Sequence, residues 1–98
     1  MLVAERDGRL AGFVGYELDG HIDMLFTAPR CARAGVASRL HDAAERVLQA
    51  AGVTELFTEA SDVARPFFER QGYVVVERES VVARGVRLER QRMRKRLA

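Results

Sequence analysis

Apolar residues at Val36, Leu40, Ala43, Ala44, Val47 and Ala51 recur at the spacing of one helix face. They predict a helix that begins near Gly35 and stops near Gly52, a glycine of the kind that closes helices. The chain before it reads as strands. Asp7-Gly8 and Asp19-Gly20 are turn pairs that tolerate positive φ, and they separate Leu2–Arg6, Arg9–Leu18 and His21–Thr27. In the middle strand Leu10, Gly12, Val14 and Tyr16 alternate with Ala11, Phe13, Gly15 and Glu17. Both sets are mostly apolar, which predicts burial on both faces. Gly12 and Gly15 mark a close approach of a neighbour or a bulge.

Beyond the helix, Thr54–Glu59 reads as a strand, and the crossover length implies parallel pairing on the return. Ser61 or Asp62 caps a short helix, Val63–Gln71, whose Ala64, Phe67 and Phe68 share a face. Gly72 ends it. Tyr73–Ala83 is a valine-rich strand, Arg84-Gly85 a turn, and Val86 to about Lys95 its hairpin partner. The expected order is β-β-β-α-β-α-β-β. The expected fold class is α/β (α+β), one mixed, mainly antiparallel sheet with helices on its faces.

Composition narrows this picture. A chain of 98 residues, 48% hydrophobic and 31% charged, suits a single domain over residues 1–98. Net charge of +2 is too slight to require nucleic acid. The arginines between Arg84 and Arg96 lack interleaved aromatic residues and are interrupted by glutamates, so they read as a charged strand that resists edge pairing. A single cysteine, Cys31, permits no internal disulfide, so it fits packing and a reducing cytoplasm. No apolar run approaches membrane-spanning length and no signal-peptide pattern is present. His21 and His41 have no second ligand at metal-site spacing, so surface roles and no metal are expected.

The candidate chemistry gathers at Pro29–Ala44. A strand ends at Pro29, two arginines (Arg30 and Arg33) follow, and small residues open the helix. Small residues at a helix start let an anion approach the unpaired N–H groups, and the helix dipole favours negative charge there. The same small residues would equally serve a strand–turn–helix joint that packs closely.

Two motifs carry a resemblance. Arg33-Ala-Gly-Val-Ala-Ser38 after a proline-ended strand resembles motif A of the GNAT superfamily of N-acetyltransferases, Arg/Gln-x-x-Gly-x-Gly/Ala. Gly35 and Ala37 match its last two fixed positions, and Ala32 stands at the first. Ala64-Arg-Pro-Phe-Phe-Glu-Arg-Gln-Gly-Tyr73 is similar to the superfamily's second-helix signature. With Ile22-Asp-Met-Leu-Phe, these runs look most like the YafP-like branch, and the resemblance covers nearly the whole chain. It implies acetyl transfer from acetyl-CoA to a primary amine of a small molecule or a protein. It assigns backbone contacts with the pantetheine arm to Leu25, Phe26 and Thr27, and the pyrophosphate to Arg33, Ala34, Gly35, Val36, Ala37 and Ser38.

The resemblance is incomplete in three places. Phe68 occupies the position where many members carry a tyrosine acid, and Tyr73 begins a strand instead. Asp23 lies where some members place a carboxylate base, so it is the candidate proton acceptor, against a plain solvated strand residue. Glu59 and Ser61 are further candidates, Ser61 more naturally as a helix cap. Members usually begin with a further strand and two helices, so the chain is expected to be amino-terminally short: a fragment, a domain whose gap a partner fills, or one with a more open site; a homodimer would also cover an exposed edge. Two other readings stay open: a degenerate member that binds acyl-CoA without efficient turnover, and a basic nucleic-acid-binding module.

Overall fold

A computed structural model describes residues 1–32 and 34–97. They form two compact units, Met1–Thr54 and Glu55–Ala98. The first contains strands β1 (Leu2–Arg6), β2 (Arg9–Tyr16) and β3 (Ile22–Thr27), a 3-10 turn at Pro29–Cys31, and helix α1 (Val36–Ala50). The second contains β4 (Glu55–Ser61), helix α2 (Arg65–Arg70), β5 (Val74–Ala83) and β6 (Val86–Arg96).

In the first unit the sheet order is β1-β2-β3, antiparallel throughout. Asp7 and Gly8 adopt φ of 55° and 73°, the doubly positive pair that a tight twisted hairpin requires. Helix α1 packs on β2 and reaches both flanking strands. Leu40, Ala44 and Leu48 line its inner face, and Ala11, Val14 and Ile22 meet the core from the sheet. Gly12 explains how closely helix and strand approach. A Cβ there would collide with the Phe26 carbonyl oxygen and come within 3.1 Å of Val36 and Leu40. The Gly12→Ala variant is therefore expected to lose about 1–3 kcal/mol of stability. Chemical denaturation checks this, and an unchanged midpoint would show that the helix can lift off β2 without cost.

His41 departs from expectation. It is fully buried, not on the surface. It lies one turn from both Ala37 and Ala44, so the buried stripe of α1 is wider than its aliphatic residues suggest.

In the second unit the order is β4-β6-β5, again antiparallel throughout. The expected α+β class, with two helices and mainly antiparallel strands, holds, but among the described residues the strand after α1 pairs antiparallel with β6 and in no parallel ladder, and the strands form two three-stranded sheets. The turn at Arg84-Gly85, with φ of 51° and 77°, sends the chain back between β4 and β5. That return also corrects the reading of the arginine-rich end. Strand β6 is central, not an edge, and its arginines answer glutamates of the neighbouring strand: Arg92 meets Glu77 at 3.1 Å and Arg90 pairs with Glu79. Cross-strand pairs of this kind favour the register. On the opposite face Leu56, Thr58, Ala60, Gln91 and Met93 are buried, and Gln91 donates to the Asp62 carboxylate at 2.6 Å.

Helix α2 is shorter than expected at both ends. Its first helical residue is Arg65, with Pro66 next, where a missing N–H costs nothing. The Ser61 hydroxyl accepts from the Ala64 N–H at 3.2 Å, so Ser61 shapes the entry to α2.

Candidate active site

Strand β3 is an edge of its sheet, paired on one side only, by β2. The Phe26 carbonyl points at Gly12 in β2, and Ala28 donates its N–H to Ala11 at 2.8 Å. Backbone groups alternate along a strand, so those of Leu25 and Thr27 face the free edge. Phe26 is turned inward by its backbone but keeps an exposed ring, stacked on Phe13 with centroids 5.3 Å apart.

Asp23 sits at an irregularity in this strand. Gly15 pairs with Met24 while Tyr16 pairs with Ile22, which leaves Asp23 as the extra residue of a bulge. Its carboxylate lies over Gly15, in the space that a side chain at Gly15 would fill. Asp23 is exposed, so its oxygens are open to a second molecule. A bulge re-aims one side chain, and here the absence of a Cβ at Gly15 gives that side chain a seat.

The chain leaves β3 through the 3-10 turn and enters α1 at Gly35. Gly35 has φ of 78°, is exposed, and would meet nothing within 4 Å if it carried a Cβ. It is glycine for its backbone angle and for the open approach, not for packing against a neighbour. It caps the helix without a side-chain hydrogen bond, and its carbonyl takes the Arg39 N–H at 3.1 Å. The first turn contains no acidic residue. The N–H groups of Val36 and Ala37 belong to the helix start, where no intrahelical acceptor is available. Ala34, Ala37 and Ser38 are half-buried and small, and Val36 anchors the turn in the core. Arg33 lies outside the described residues.

Other candidates have packing or surface roles. Phe68 is buried edge-on between Phe67 and Tyr73, with centroids 5.2 and 5.1 Å away. Tyr73 is equally buried. Both belong to the packing of the second unit. Cys31 is free and buried, its sulfur 3.5 Å from an Arg30 nitrogen, which fits the packing role. His21 is half-buried and bonds Glu17 at 2.9 Å. Among the described residues no group of three or more His, Cys, Asp or Glu could hold a metal ion, and no helix is long and apolar enough to cross a membrane. The sequence reading missed that Arg6, Arg9 and Arg30 share one hollow. The signal was available, because a two-residue turn at Asp7-Gly8 must set Arg6 opposite Arg9.

The same arrangement recurs in proteins of known family. The model of the GNAT acetyltransferase domain matches residues 1–97. An N-acetyltransferase of uncharacterised function from Escherichia coli strain K12, YafP, is 37% identical over 83 residues, covering 85% of this chain and 51% of that protein. A crystal structure from Rhodopseudomonas palustris described as a GCN5-related N-acetyltransferase superimposes with a TM-score of 0.92 at 36% identity, covering 97% of this chain and 59% of that one. PaiA N-acetyltransferase from Thermoplasma acidophilum, solved in complex with coenzyme A, shares the fold at a TM-score of 0.76 and 18% identity, over 96% of this chain and 58% of its own. The chain thus spans little more than half the length of these relatives. A match along residues 1–97, with an edge strand leading into a glycine-capped helix, places the chain in the GNAT acetyltransferase family.

Proposed function

We propose that this chain is a single-domain, acetyl-CoA-dependent N-acetyltransferase of the cytoplasm that acylates a primary amine of a small molecule or protein. The observation that carries this is the pairing of a free strand edge with an acid-free helix start on one continuous stretch, Leu25 to Ser38. The pantetheine amides extend the β3 edge through the outward backbone groups of Leu25 and Thr27, with the Phe26 ring alongside. The pyrophosphate rests on the N–H groups of Gly35, Val36 and Ala37, with Ala34 and Ser38 lining the cradle and Arg33 adding charge. The coenzyme A bound by PaiA, a relative in fold, supports the choice of ligand.

The reaction needs a neutral amine. Its nitrogen attacks the thioester carbonyl carbon, the C–N bond forms, and the C–S bond breaks as the thiolate leaves and is protonated. The ammonium proton must go to an acceptor before or during attack. Asp23 is that acceptor, directly or through water, because the bulge sets its carboxylate on the strand that holds the acyl end. Phe68 carries no hydroxyl where many members have a tyrosine, so the leaving thiolate takes its proton from solvent. Thiol release from acetyl-CoA with a panel of primary amines tests the assignment. Binding of acetyl-CoA without release for any amine would leave an acyl-CoA-binding protein instead, a reading that Phe68 and Ala32 favour. A homodimer would cover the open edge of β1, and sedimentation tests it.

A further inference from the structure

The sheet of the first unit has two faces, and helix α1 closes one of them. A Cβ on Gly12 would touch Val36 and Leu40, so the face that Gly12 presents lies under α1. Its strand neighbours Phe13 and Gly15 therefore point to the other face. Residues opposite one another in an antiparallel ladder share a side, so Val3 and Phe26 join Phe13 there, and Met24 joins Gly15. Val3 is 56% exposed, Met24 57% and Phe26 40%. The Phe13 and Phe26 rings stack into one flat surface. The Asp23 carboxylate, seated over Gly15, is on this same face. Apolar side chains gathered on an open sheet face, with one carboxylate set among them, mark a binding surface.

We infer that this face receives the acceptor, and that the acceptor is an arylalkyl amine: a small molecule whose flat aromatic ring is joined to a primary amine by a short alkyl chain. The inference rests on the acetyl-transfer reading above and narrows its substrate class. The single carboxylate of Asp23 suits a single ammonium group, whose proton it accepts before the nitrogen attacks the thioester carbon. Phe13 lies two residues along β2 from Gly15, about 7 Å by strand rise, a gap that a short alkyl chain bridges. A ring laid against Phe13 and Phe26 gains the offset or edge-on contacts that aromatic groups favour. The Phe26 ring also flanks the pantetheine arm, so the platform runs directly into the acyl site and brings the nitrogen to the β3 edge. An acceptor carrying several ammonium or hydroxyl groups would leave them unpaired against Val3, Met24 and the rings.

Rates of thiol release from acetyl-CoA with 3-phenylpropylamine and with propylamine test this on the unaltered protein, since the two amines differ only by the ring. The parent should show a kcat/KM roughly 10- to 100-fold higher for the aryl amine, the scale of burying one aromatic group. The gain should appear mainly as a lower KM, because the ring is held alike in the ground and transition states. Phe13→Leu keeps an apolar side chain in β2 but removes the flat ring, so it should cut the ratio several-fold. Val3→Ser, on the exposed edge strand, should lower the ratio too, and thermal melting verifies that both variants fold. Equal kcat/KM for the two amines in the parent overturns the inference while leaving acetyl transfer intact. So does a full ratio retained by Val3→Ser and by any Phe13→Leu protein that melts like the parent. Release with neither amine overturns the transferase reading itself, and this inference with it.

Discussion

Gly35→Glu is expected to reduce acetyl-CoA affinity by about a hundredfold or more. Gly35 is exposed at the helix entrance, with nothing within 4 Å of the place a Cβ would take, so the new side chain would occupy the approach itself. A carboxylate about 5 Å from a phosphate charge opposes it by roughly 1–3 kcal/mol, between watery and surface dielectric conditions. It also cancels part of the positive end of the helix dipole. Because Gly35 holds φ of 78°, a glutamate there adds roughly 1–2 kcal/mol of backbone strain to the fold. Gly35→Asn separates the two effects, since asparagine tolerates that angle and adds no charge. Calorimetry should show the asparagine variant close to the parent and the glutamate variant far weaker. Equal affinities for parent and glutamate variant would move the pyrophosphate away from this helix.

The turns and the helix start were legible in the sequence because their chemistry is local. Asp7-Gly8 permits few backbone shapes, and Pro29 followed by Gly35 bounds a strand exit and a helix cap without reference to any other residue. Helix α1 ends within two residues of its expected close. What the sequence withheld was pairing. Nothing in Val86–Arg96 alone says that the last strand lies between β4 and β5, so its arginines look like an edge device until Glu77 and Glu79 appear opposite them. The parallel pairing expected of β4 failed for the same reason, since crossover length permits a parallel neighbour but does not supply one. His41 was misplaced because a polar residue was read by type and not by its position between Ala37 and Ala44. The candidate site divides the same way. The cradle is one continuous stretch and could be read directly. Gly15 could be marked for a bulge, but the seating of Asp23 over it follows only from the register of β2 on β3.

That seat makes Asp23 the sharpest test of mechanism. Asp23→Asn is expected to slow acetyl transfer by roughly 10²–10⁴-fold, the usual contribution of a positioned proton acceptor. Asparagine has the same outline, so it should keep its place over Gly15 and leave the bulge and the β3 edge as they are. Acetyl-CoA affinity should therefore stay near that of the parent, which places the loss in turnover and not in cofactor binding. The pH profile adds an independent readout. A primary alkyl amine resembles lysine, which loses its proton near pH 10.4. As pH rises toward that value, solvent supplies neutral amine without help from the protein, so the gap between parent and variant should narrow. A structural role for Asp23 would predict a different pattern, with weaker cofactor binding or lower melting temperature and a gap independent of pH. If the variant acetylates its amine as fast as the parent at every pH, the carboxylate is a solvated strand residue. The proton would then have to leave through water alone.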